Sequence, residues 1–348
     1  AKIKREEENE EIRYSLIRAE YEEADKLMKE VTKDVKKRIQ KYFGVQKILE
    51  PIKYYAEFIE HYLEQFAEGR IPKEQIKYII NSFRESRRKG KIEMEDIAPL
   101  MYIKYMVHGI KTKFELKHIV IDEAQDFSEF QFYIFKKIVK SSSLTILGDL
   151  AQGIYYYRGT ENWQKTMSIV FDEQIEPQYL TLKKTYRTTE EIMNVANKVI
   201  SHLIEKLKCS LGEPVMKNGA PVTIKEFENR DEMVKRIRER LDEFKENGLK
   251  NTALICKTVE DCEKLKKELD IDEIHVISDS DSEYAGGISI VPSYLSKGLE
   301  FDSVIITDAD VNNYSKSEVD TKLLYVCITR AMSILDIYHV EPLTELLK

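Results

Sequence analysis

Two short apolar runs that both end in acid constrain this chain most. Ile119-Val120-Ile121 is followed at once by Asp122-Glu123 and then Gln125-Asp126. Leu144 to Leu147 is followed by Gly148-Asp149 and then Gln152. Each run reads as a buried strand. In open parallel sheets a ligand sits just beyond the carboxyl ends of the strands. Two neighbouring strands that end in carboxylates and an amide would bring both endings to one crevice. Such a crevice has the chemistry of a nucleotide-phosphate site.

From Lys117 onward, β-rich runs alternate with helical ones. The periods predict strand 118–122, helix 129–140, strand 144–148 and, after Trp163 and a connection, a strand near Tyr179 to Leu182. Thr188 and Glu191 have the spacing of a capping box, opening a helix that runs to about Leu207. Asn218-Gly219-Ala220-Pro221 reads as a turn. Strand 222–227, helix 231–246, strand 252–257, helix 259–269, strands 274–278, 287–292 and 303–307, helix 320–331 and strand 333–339 follow. Alternation of this kind means parallel sheets covered by helices on both faces.

Upstream the period is helical. Ile17, Tyr21, Ala24 and Met28 form one stripe, and Val31, Val35, Ile39 and Phe43 continue at four-residue steps. Lys2 to Glu11 is a solvated charge run. A tyrosine-rich helical stretch runs from Pro51 to Phe66, and Gly69-Arg70-Ile71-Pro72 breaks it. Arg84, Arg87, Arg88, Lys89 and Lys91 make a basic patch. A solvated helix end is the plainer reading of that patch; a contact to a phosphate backbone is the sharper one. The expected domains are a helical subdomain over 1–115, part of a first α/β lobe over 116–180 and a second lobe over 181–348.

Bulk properties bound the function. The 348 residues are 42% hydrophobic and 34% charged, as expected of a folded, soluble chain. No apolar run approaches the roughly 20 residues of a membrane span, and no signal-peptide pattern is seen. Cys209, Cys256, Cys262 and Cys327 are scattered without a CxxC pair. They offer neither a zinc site nor a disulfide framework and suit a reducing cytoplasm. The net charge of -7 requires any nucleic-acid groove to be locally basic on an acidic body.

Individual motifs carry weak signals one at a time. An aspartate such as Asp122 at a strand end can hold Mg²⁺, and Glu123 beside it can deprotonate a water that attacks a γ-phosphate; many strands nevertheless end in Asp-Glu. Gly148-Asp149-x-x-Gln152 adds an amide, or is an ordinary turn. Tyr155 and Tyr157 beside Arg158 could stack on single-stranded bases, worth roughly 1–3 kcal/mol per base, while Tyr156 reads as core. Tyr186-Arg187 suits a base and a phosphate. Gly298, in Ser296-Lys297-Gly298-Leu299-Glu300-Phe301, would let backbone approach a ligand. Arg330 closes a helix as an arginine finger could, or is a surface arginine.

The order of these motifs is more specific than any one of them. DEAQD, GDxxQxIYxYRG, TYR, SKGLEF and LLYVxxTRA together resemble the superfamily 1 helicases of the UvrD/Rep/PcrA type, over roughly Lys117 to Tyr338. The wording around Glu95 to Met106 and Val291 to Asp302 is most similar to the HelD (helicase IV-like) branch, which includes motors associated with RNA polymerase. The resemblance implies RecA-like P-loop NTPase lobes with parallel sheets plus an all-helical subdomain, using ATP and Mg²⁺ on single-stranded or duplex DNA. It implies Asp122 on the metal, Glu123 as catalytic base and Gln152 as the γ-phosphate coupler. Arg187 and Arg330 would reach the γ-phosphate from the second lobe. Tyr186 would stack on adenine, Gly298 would lie along the nucleotide, and Glu300 would contact the ribose. Tyr155, Tyr157 and Arg158 would touch the strand. Tyr294 stands where the better-known helicases have histidine. Two rivals remain: an ATP-driven remodeller of RNA polymerase, and a non-catalytic binding module.

One element of the pattern is missing. No GxxxxGK[ST] phosphate loop occurs in the chain, and Arg88-Lys89-Gly90-Lys91 is not one. The expectation is therefore a fragment without the front of the first motor lobe. The purified 348-residue chain should hydrolyse ATP no faster than a Glu123→Gln control. A steady-state assay showing robust turnover that depends on Glu123 would overturn this.

Overall fold

The computed structural model describes residues 10–42, 50–109, 117–138, 143–155, 157–171, 177–215, 218–278 and 286–348. The start of the charge run, Phe43, the last residues of helix 129–140 and Tyr156 lie outside the described residues. Contacts divide the chain into two compact units, Ala1–Lys111 and Thr112–Lys348.

The first unit is helical, as its period indicates. Helix α1, Glu10–Tyr42, is 33 residues long. Its apolar stripe faces solvent within the unit: Tyr21, Met28, Val31 and Val35 are all about half exposed or more. Pro51 opens α2, Pro51–Glu57, where proline's missing N–H costs nothing. The helix then widens into a π-turn, Phe58–Tyr62, and continues as α3, Leu63–Ala67. Helices α4, Lys73–Arg88, and α5, Met94–His108, complete the unit. Its small core is Tyr55, Ala56, Ile59 and Phe83, with Tyr55 and Phe83 meeting edge to face at 5.5 Å. Part of the basic patch is paired. Arg84 and Arg87 both reach Glu60, at 3.4 and 3.3 Å, and Lys89 reaches Glu85 at 2.6 Å.

The second unit holds two parallel sheets that matter here. Strands β1, Ile119–Ile121, and β2, Leu144–Ile146, pair in parallel. Between them runs α6, Glu129–Ile138, and after β2 comes α7, Trp163–Val170. These elements pack through Ile121, Ala124, Phe132 and Val170. A two-stranded ribbon follows, β3 (Lys184–Thr185) with β4 (Glu213–Pro214).

The larger sheet contains β5 (Thr223–Glu226), β6 (Asn251–Cys256), β7 (His275–Val276), β8 (Gly287–Pro292), β9 (Phe301–Ile306) and β10 (Ala331–His339). All neighbours are parallel, in the order β5-β10-β9-β6-β8-β7. One face is covered by α8, Glu190–Ser201, the short α9, Ile204–Leu207, and an eleven-residue helix, α12, Glu318–Ile328. The other face is covered by α10, Arg230–Glu246, and α11, Val259–Leu269. The central strands are mostly apolar because both of their faces are buried: Leu254, Ile255, Ile290, Val291, Val304, Ile305 and Ile306 are wholly inaccessible, and buried Thr252 and Ser303 bond to each other.

Three sequence expectations need correction. Tyr179 to Leu182 is not a strand; it has no regular secondary structure and is exposed, with Leu182 91% accessible. Alternating residues suit a strand only where a neighbour supplies hydrogen bonds, and the pairing falls to Lys184–Thr185 instead. The helix cap is Thr189, not Thr188: Thr189 Oγ1 accepts from the Ile192 N–H at 3.5 Å. Thr188 Oγ1 instead donates to the Ala331 carbonyl, and Glu191 accepts from the Gly219 N–H at 2.9 Å. Finally, the helix expected to reach Leu207 is interrupted at His202–Leu203.

Among the described residues no helix is long and apolar enough to cross a membrane. A buried charge pair staples α10 to the sheet. Arg240 Nε lies 2.7 Å from Asp336 Oδ2, and the Asp336 side chain is 1% exposed. Removing one partner of such a pair strands the other. Arg240→Leu should lower stability by about 3 kcal/mol, read as a fall in the urea midpoint at constant m-value.

Candidate nucleotide site

Strand β1 delivers Asp122 and Glu123 to its carboxyl end, where both are exposed. The chain turns sharply there. Glu123 has φ +50°, in the left-handed region that costs a non-glycine residue about 1 kcal/mol or more. Asp122 Oδ1 steadies the turn by accepting the Glu123 N–H at 2.8 Å. Strained backbone beside a carboxylate pair at a strand end marks a place where aim matters more than stability.

Strand β2 ends in a short 3₁₀ turn, Leu150–Gln152, capped by Asp149. Leu150, Ala151 and Ile154 are buried in the core formed by α8 and α12. That apolar seam fixes Gln152 against the larger sheet. Gln152 Nε2 donates to Asp149 Oδ2 at 2.9 Å, and Gln152 Oε1 accepts from Arg330 Nη2 at 3.2 Å.

Arg330 is not a surface arginine and not part of the helix. Helix α12 stops at Ile328, and Arg330 follows its C-cap with 1% exposure. Its Nε donates to the Val326 carbonyl, Nη1 to the Leu299 carbonyl, and Nη2 to Thr329 Oγ1 and Gln152. Burial, then the like charge of Arg187, holds its pKa below the ordinary arginine value; Cys327, Glu300 and Glu123 oppose that shift. Opposite charges from both strand systems therefore bear on one guanidinium.

Arg187 follows β3 and pairs with Glu300 at 2.8 Å. Tyr186 beside it is 73% exposed. Gly298 has φ +83° and open space where a Cβ would stand, so backbone conformation alone selects glycine there. In the aromatic turn, Arg158 lies over the Tyr155 ring at 4.3 Å and near the Tyr157 ring at 5.6 Å. Tyr157 is 61% exposed, whereas Tyr155 is half-buried against the core. Tyr294 is also partly buried against that core.

Two residues given no role by sequence reasoning join the site. Lys297 Nζ is 2.7 Å from both carboxylate oxygens of Asp126 and 3.7 Å from Glu123 Oε2. Its side chain is only 9% exposed, and its ammonium lies 5.6 Å from the Tyr155 ring. Both residues sit inside motifs visible in the sequence, but a lysine is mostly exposed by default and nothing local announces its burial.

Among the described residues there is no cluster of three or more metal-ligating side chains. The donor set here is Asp122 beside Glu123. That suits Mg²⁺, which is commonly held by one or two carboxylates together with substrate phosphates, better than a resident, fully caged ion.

Residues 2–167 match the UvrD/REP helicase N-terminal domain, and residues 180–285 and 287–335 match two UvrD-like helicase C-terminal domain models. The chain belongs to the UvrD-like helicase family. DNA helicase II of Haemophilus influenzae is 31% identical over 38% of this chain and 18% of its own length. ATP-dependent DNA helicase PcrA of Staphylococcus epidermidis is 36% identical over 26% of this chain and 12% of its own. This UvrD-like chain thus spans under a fifth of each of these relatives. A solved C-terminal domain of a possible DNA helicase from Lactobacillus plantarum is 29% identical, covering 47% of this chain and 92% of that one, at a TM-score of 0.37.

Lys297→Met should loosen the join between the two strand systems of this UvrD-like chain. It leaves the Asp126 carboxylate, 23% exposed, without its cation. Amide hydrogen exchange at Ala124–Phe127 should rise at least tenfold, while exchange in β6 and β9 stays unchanged. Unaltered exchange at Ala124–Phe127 would show that the ion pair holds nothing.

Proposed function

We propose that this chain is the major part of the motor core of an ATP-dependent DNA helicase or translocase. The single observation that carries the proposal is the convergence across one seam. Asp122, Glu123 and Gln152 come from the smaller sheet, Arg330, Lys297 and Glu300 come from the larger one, and Arg187, after the ribbon strand β3, pairs with Glu300. Family membership supports the same reading.

In this proposal Asp122 would hold Mg²⁺, which would supply neutralisation of phosphate charge. Glu123 accepts a proton from the attacking water. Arg330 and Arg187 stabilise charge developing on the γ-phosphoryl oxygens, and Gln152 senses that group. Tyr186, exposed beside Arg187, stacks on the adenine. Glu300 accepts from the ribose once nucleotide releases it from Arg187, and Gly298 lies along the nucleotide. Tyr155, Tyr157 and Arg158 contact single-stranded bases. Nucleotide draws the two sheets together, turnover releases them, and the differing grip on DNA in the two states supplies directed motion.

Arg330 must exchange its Gln152 bond for phosphate, which makes Gln152 the natural reporter of nucleotide. In full-length protein expressed from the complete reading frame, Glu123→Gln should cut kcat for ATP by about 10²–10⁴-fold. Arg330→Ala should cut it by about 10³–10⁵-fold. Both should leave nucleotide affinity within severalfold. DNA-stimulated ATPase assays check this, and wild-type turnover in either variant would sink the proposal.

A further inference from the structure

Gln125 has no assigned role, yet it bonds to the turn after β1, the turn after β2 and the aromatic turn at once. It is 1% exposed. Its side-chain oxygen accepts from the Asp149 N–H at 2.9 Å. That backbone donor fixes the amide's orientation, because the flipped form would set two donors against each other. The amide nitrogen therefore points the other way and donates to Glu123 Oε2. The Gln125 backbone carbonyl accepts from the Thr160 N–H at 3.1 Å.

Glycines make this packing possible. A Cβ on Gly148 would stand 2.6 Å from Gln125 Oε1 and 2.8 Å from the Trp163 ring. A Cβ on Gly159 would stand 2.3 Å from the Gln125 carbonyl oxygen. Neither glycine has a positive φ. Both are needed for close approach, and both approaches are to Gln125.

We infer that Gln125 is a positioning residue that couples the strand-contacting turn to the catalytic carboxylate. The inference rests on the proposed function above. One arm runs from Arg158 through Gly159 and Thr160 to the Gln125 backbone, and from the Gln125 amide to Glu123. The second arm runs from Gln125 Oε1 to Asp149, from Asp149 to Gln152, and from Gln152 to Arg330. A base stacking on Tyr157 or Arg158 shifts the turn, and the turn cannot shift without moving Gln125. Glu123, held in strained backbone, takes its aim from that amide. Coupling of this kind needs a contiguous network and a demonstration that both ends feel it.

Two readouts test it. In full-length protein, Gln125→Leu removes both side-chain bonds at nearly constant volume, and Gly159→Ala displaces the turn while leaving Gln125 intact. The ratio of oligonucleotide-stimulated to basal ATP turnover should fall at least tenfold in each, with KM for ATP changed less than threefold. A purely structural role would lower both rates together and leave the ratio intact, and that result overturns the inference. The second readout needs no turnover. In the 348-residue chain, the Gln125 side-chain amide resonance, assigned by its loss in Gln125→Leu, should move with Glu123→Gln and also on adding a ten-residue oligothymidylate. A resonance that ignores either change overturns the inference. Absence of Glu123-dependent ATP turnover in the wild-type full-length protein, with the resonance moving as expected in the 348-residue chain, would instead refute the proposed function and leave the coupling standing.

Discussion

A nearly buried ammonium group organises the site. Lys297 could not sit at 9% exposure without a partner, because desolvating a lone charge costs several kcal/mol. Asp126 supplies both oxygens at 2.7 Å. The pair joins the turn after β1 to the turn before β9, and everything reactive is strung between those turns. An apolar seam does the rest. Leu150, Ala151 and Ile154 enter the core of the larger sheet, so the carboxylates and guanidiniums are held by packing as well as by charge.

The division of labour follows from what each force does well. Packing positions backbone, which is why Gln152 sits at the end of a buried 3₁₀ turn. Hydrogen bonds fix orientation, which is why Gln125, Gln152 and Arg330 are satisfied by named acceptors. The groups proposed to meet a ligand, Asp122, Glu123, Tyr186 and Tyr157, remain open to solvent. Arg330 stands between these classes. Its guanidinium is inside, but one of its four donated bonds goes to a side chain of the other strand system, and that bond is the one proposed to exchange for phosphate.

Much of the larger sheet was legible in the sequence. Strand 287–292 and helix 259–269 agree with the structure to the residue, because apolar runs there are bounded by polar or glycine residues. Asp122-Glu123 at a strand end was legible because periodicity stops abruptly at charge. Tyr179 to Leu182 misled because alternation describes a surface and not a partner. The cap shifted from Thr188 to Thr189 because two adjacent threonines carry the same local signal, and only the Ala331 carbonyl, far along the chain, decides between them. Lys297, Asp126 and Gln125 were unreadable for the same reason: their meaning lies in who faces them. The stripe on α1 was read correctly as helical, but periodicity could not say that Tyr21 and Met28 face solvent within their unit.

The order of strands in the larger sheet governs how the chain is made. Edge strand β5 pairs with β10, Thr223 lying opposite Asp336, and β10 is the last strand of the sheet in sequence. During synthesis β5 therefore emerges early and waits, its one sheet neighbour not yet built. Helix α10 can shelter only its carboxyl flank meanwhile, since Met233, Val234 and Ile237 share a buried cluster with Phe227, which follows β5. Parallel pairings over such separations close slowly. A ribosome pausing before residue 331 would hold a four-stranded sheet with the β9 edge open and β5 unpaired, a state exposed to aggregation.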